Sequence, residues 1–204
     1  MALLAPCSSK AAESAAAFLA TVLADDFNGD GSSRIHKTYF SDGKGEDTGD
    51  CQCSMSRAIY DLKEEPMTFV ASWQISNIVM HSPRKAVIEG KFLVLARTEG
   101  RGWTAVENGV RKDTFRTIIP LSNSEIEIVT YHLEKFNGRW KLVDPPTPRV
   151  AIKPVILELK RYVALLEEIT LRMPERQDLR NSLENASQQL NALNSIQAHQ
   201  QIGY

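Results

Sequence analysis

From Met67 to Val143 the apolar residues alternate with polar ones, and this period of two constrains the fold more than any other feature of the chain. Thr68 to Met80 places Phe69, Trp73, Ile75 and Val79 on one parity and is rich in β-formers. Ser82-Pro83 supplies a turn, and Ala86 to Arg97 reads as the next strand. Its centre, Phe92-Leu93-Val94-Leu95-Ala96, is apolar on both parities, which predicts a strand covered on both faces. Gly100-Arg101-Gly102 and Asn108-Gly109 punctuate a predicted loop around Trp103. Asp113 to Leu121 and Glu125 to Phe136 read as a hairpin across Ser122-Asn123-Ser124. Asn137-Gly138 is a strong tight-turn signal leading to a last strand, Arg139 to Val143, closed by Asp144-Pro145-Pro146.

Helices flank this block. Residues 9–27 repeat as an amphipathic helix: Ala12, Ala16, Leu19, Leu23 and Phe27 share a face, with Phe18 and Val22 beside it, Ser9 as cap and Glu13 near the positive end. Asn28-Gly29-Asp30-Gly31 ends it. After a polar loop containing Ile35, Tyr39 and Phe40, residues 54–64 read as a short helix stopped before Pro66. Beyond the strands, Pro154 suits a helix start, with Val155, Leu159, Val163, Leu166 and Ile169 as its stripe. Pro174 opens a second helix, whose Leu179, Leu183, Ala186, Leu190 and Leu193 form a short heptad seam. The expected fold is therefore α+β: an N-terminal helix on a curved, mainly antiparallel sheet of four to six strands, then a C-terminal helical hairpin. Residues 9–148 read as the sheet domain and 149–204 as a helical arm. Either the seam packs on the preceding helix or it pairs with a second copy.

At 204 residues, with 43% hydrophobic and 24% charged, the chain has the composition of a globular domain. A formal net charge of −1 gives no global field for nucleic acid or an anionic membrane, and no apolar stretch is long enough to span a bilayer. Charge is uneven, however. Residues 25–50 hold seven acids against three bases, and residues 84–116 hold eight bases against four acids. Two solvated surfaces account for that pattern; a phosphate- or carboxylate-binding face on the basic strands is the alternative.

Three cysteines make no framework. Cys51-Gln52-Cys53 is an isolated pair and Cys7 is remote, too few ligands for a structural zinc even with His36. Leu3 to Ser9 resembles an altered lipoprotein processing site around Cys7, so both a cytoplasmic and a cell-envelope location stay open. Asp26, Asn28 and Asp30, followed by Gly31, match the first half of an EF-hand loop, but Arg34 and Lys37 occupy the ninth and twelfth places, where Lys37 replaces the bidentate glutamate. A helix-ending turn explains the same residues, and no cofactor is expected.

The order of a long helix, a loop with short helical pieces and several long antiparallel strands, ending in Gly138-Arg139-Trp140-Lys141-Leu142-Val143-Asp144, resembles the nuclear-transport-factor-2-like superfamily, the cystatin-like cone, over residues 9–144. That resemblance implies a pocket between helix and sheet, and a function ranging from hydro-lyase or isomerase to binding and assembly. The residues favour the binding end of that range: the doubly apolar run 92–96 and the Leu seam offer more apolar surface than one helix covers, and no catalytic set can be assembled. A non-catalytic module with a hydrophobic cone pocket is therefore expected, taking a small hydrophobic ligand or a protein partner, with Tyr39, Tyr60, Trp73, Trp103 and His132 as candidate contacts. A homodimer through the sheet or the arm is compatible. The alternative is an isomerase or hydro-lyase in which His132, on one parity with Ile126, Ile128 and Thr130, looks into the cone and works with a nearby acid such as Asp61.

Overall fold

The computed structural model describes residues 7–28, 66–100, 103–107, 110–114, 116–143 and 149–202. Helix α1 (Cys7–Phe27) is followed by β1 (Thr68–Ser82), β2 (Lys85–Glu99), β3 (Trp103–Glu107), β4 (Val110–Thr114), β5 (Thr117–Phe136), β6 (Arg139–Leu142) and β7 (Arg149–Ala151). Helices α2 (Ile152–Arg172) and α3 (Gln177–Ile202) follow. The predicted helix at 54–64, the Cys51–Cys53 pair, Tyr39, Tyr60, Asp61 and Asp30 lie outside the described residues.

Five strands form one curled sheet in the order β6-β5-β2-β1-β7, antiparallel except for β7, which runs parallel to β1. The α+β class read from the sequence holds, with an N-terminal helix, a mainly antiparallel half-barrel and two C-terminal helices. Several elements differ in detail. Helix α1 begins at Cys7, which puts Ser9 inside its first turn rather than at its cap. The predicted loop around Trp103 is a two-stranded hairpin, with Trp103 opposite Thr114.

The predicted hairpin across Ser122–Ser124 is absent, because both of its arms pair with β2. Pro120 faces Ala96 and Glu125 faces Val94, so residues 121–124 bulge out of one continuous 20-residue strand. The serines and Asn123 relieve the strand locally instead of reversing it. Asn137 and Gly138 do reverse the chain, with φ of +48° and +79°.

Two cores flank the sheet. In the first, Ala15, Leu19, Val22 and Leu23 of α1 pack on the concave face against Val70, Ile88, Phe92, Val94, Tyr131, Leu133, Trp140 and Leu142. Trp140 closes one end, its Nε1–H donating to Ser14 Oγ at 3.1 Å. The second core joins Val155, Leu159, Leu166, Ala186 and Leu193 of the arm to Met67, Phe69, Leu95, Ala96 and Ile118 of the sheet. Successive strand residues point to opposite faces, so the adjacent pair Val94 and Leu95, divided between the two cores, puts α1 and the arm on opposite sides of β2. This explains why residues 92–96 are apolar on both parities. The heptad seam of α3 packs within this second core against α2.

Candidate binding site on the concave face

Odd-numbered residues in the second half of β5 point inward. Tyr131 and Leu133 are buried, and Glu127 and Val129 are half-buried, while Ile126, Ile128, Thr130 and His132 are exposed. The expectation that the parity of His132 looks into the cone is thus overturned: His132 lies opposite Val87 on the outer face. Ile126 and Ile128 made that parity look internal, yet here both parities carry β-branched residues and burial alone separates them.

The inward parity meets a residue absent from the sequence reading. Arg149, in β7, is only 6% exposed. Its side chain crosses the concave face over β1 and β2, and Nη2 donates to Glu127 Oε1 at 2.9 Å. On the way the guanidinium lies 4.9 Å from the centre of the Phe92 ring, a cation–π contact. The Phe92 and Tyr131 ring centres stand 6.4 Å apart, tilted by 49°. Gly90 makes room for both rings: a Cβ there would lie 2.8 Å from Phe92 Cε2 and 3.2 Å from Tyr131 Cε2.

The Tyr131 hydroxyl is held well above the ordinary tyrosine range, chiefly by burial, with the charges of Asp26 and Glu127 adding to the shift. Arg149 opposes the shift through its charge and a hydrogen bond. Asp26 therefore turns its field toward the site from the last turn of α1, and Asn28 continues that turn, its N–H bonding Ala24 O at 3.0 Å. Among the described residues, no three His, Cys, Asp or Glu side chains gather as a metal would require.

No family model, curated protein or solved structure matches this chain. The site is therefore read from its own geometry. Among the contact residues expected from the sequence, Trp73 belongs here: it pairs with Phe92 across β1 and β2 and packs half-buried on the concave core. The residues that sequence reasoning missed are Arg149, Glu127, Tyr131 and Gly90. The available signal was an arginine leading the apolar run Val150-Ala151-Ile152, a charge without an evident solvent-facing reason.

Proposed function

We propose that the protein is a non-catalytic binding module that holds a small apolar ligand against the concave face, between α1 and strands β1, β2 and β5. The observation carrying this reading is the Arg149–Glu127 pair, set into an otherwise apolar face. The pair is part-buried, with the Arg149 side chain 6% and the Glu127 side chain 30% exposed, and withdrawing charges from water costs enough that packing alone gives little reason for one here. Recognition gives a better one. Glu127 Oε2 is buried with no hydrogen-bond partner, an acceptor that a ligand hydroxyl or amine would satisfy. Trp73, Phe92 and Tyr131 would hold the apolar body.

The helix laid across a curled antiparallel sheet supports the nuclear-transport-factor-2-like reading, and the parallel strand β7 departs from the mainly antiparallel order that suggested it. Among the described residues, His132 on the outer face counts against the isomerase or hydro-lyase alternative. Titration of the labelled full chain with octan-1-ol, followed by aromatic NMR, tests the binding reading. Saturable shifts at Trp73, Phe92 and Tyr131 are expected. No shifts, or shifts confined to the outer face, would sink it.

A further inference from the structure

Among the described residues, strand β5 is a sheet edge along most of its length, and its two ends are guarded differently from its middle. At the start, the Ile118 N–H points away from β2 and donates to Gln189 Oε1 of α3 at 3.3 Å. Pro120, next on that side, has no N–H to offer. At the other end β6 pairs with residues Leu133 to Phe136, and the Val143 N–H bonds His132 O at 2.9 Å. His132 therefore turns its backbone outward, and by antiparallel alternation so do Ile126, Ile128 and Thr130. Among the described residues, no strand pairs with those three on the outward side.

Protein edges are commonly protected by charge or proline. Here the flanking Glu125 and Glu127 are neutralised by ion pairs with Arg97 and Arg149. The residues left at the edge, Ile126 and Ile128, are strong β-formers and are 71% and 56% exposed.

We propose that this span, residues 126–130, pairs antiparallel with the same span of a second copy, joining two half-barrels edge to edge about a two-fold axis at Ile128. Three features favour a second copy over any other strand. With Ile128 on the axis, Ile126 faces Thr130 of the other copy, and each opposed pair exchanges two backbone hydrogen bonds. On the inner side Glu127 faces Val129 and Glu125 faces Tyr131, so no like charges oppose each other. Finally, residues 121–124 of one copy fall opposite residues 132–135 of the other, whose outward side β6 and Val143 already occupy, so the pairing ends where the open span ends. The span is thus self-complementary in chemistry, charge and length. This interface is independent of any ligand on the concave face.

Sedimentation velocity over a concentration series, on the full chain, tests it. The wild type is expected to dimerise. Ile128→Lys and Ile128→Glu each set like charges face to face on the axis and should weaken association about tenfold or more, without loss of the helical and strand circular dichroism. Mixing the two variants should restore the dimer, an outcome that general misfolding would not give. Amide exchange adds a check in the unmodified protein: the Ile126, Ile128 and Thr130 amides should become protected as concentration rises. A wild type that stays monomeric, a dimer indifferent to both substitutions, or a dimer in which those three amides exchange freely would overturn the proposal.

Discussion

Gly90 lies beneath two aromatic rings, and its missing side chain is what lets Phe92 and Tyr131 approach the β2 backbone. Gly90→Ala should therefore destabilise the fold by about 1–3 kcal/mol, because the displaced Phe92 ring is pinned by Arg149 on its face. Urea unfolding measures this, and an unchanged midpoint would mean the rings are less tightly held. Tyr131 gives a pH signature. Its folded hydroxyl keeps a proton that the unfolded chain releases near pH ~10, so its contribution is intact below that pH and is lost as pH rises toward the folded value. Stability measured between about pH 8 and about pH 11 should fall more steeply in wild type than in Tyr131→Phe. Parallel curves would show that Tyr131 is not buried in its neutral form. At this scale the sequence revealed little of the site. Period-two patterning shows which residues share a face, but when both faces carry apolar residues it does not say which face is inside. His132 and Tyr131 are neighbours, and the pattern pointed to the wrong one.

Elements were legible where a period runs long enough to dominate. Helix α1, strands β1 and β2, the Asn137-Gly138 turn and the paired helices of the arm all follow from repeats or turn chemistry spanning many residues. The failures share a cause. Ser122-Asn123-Ser124 has turn chemistry, but β2 is long enough to pair with the chain on both sides of it, so tertiary pairing converts a turn into a bulge. Strand β7 has only three residues and owes its existence to the open edge of β1, which no local pattern announces. The arm is tied to the sheet at this scale as well. Leu193 is fully buried in a core shared by α2, α3 and the sheet. Leu193→Ala should cost about 3 kcal/mol in a single cooperative transition detected by both tryptophan fluorescence and circular dichroism. Loss of the helical signal ahead of the tryptophan signal would instead show an arm that folds separately.

At the scale of the molecule, the curl of the sheet is what brings distant strands together. In a flat sheet β7 and β5 would stand three strand spacings apart, about 14 Å. The long Arg149 side chain reaches from β7 toward β5 and meets Glu127, Nη2 to Oε1 at 2.9 Å, across the hollow that α1 covers. Curvature thus shapes the concave site, while the four-residue β6 leaves the long β5 edge, and the bulges that punctuate β1, β2 and β5 are the local means of bending the sheet. The most direct test is a double-mutant cycle on Arg149→Met and Glu127→Leu, read by chemical denaturation. Arg149 meeting Glu127 inside the hollow predicts a coupling of about 1–2 kcal/mol, with the double variant more stable than the two single losses added together. Single losses that simply add, within about 0.3 kcal/mol, would place the two side chains apart in solution and contradict the half-barrel geometry on which the proposed concave site depends.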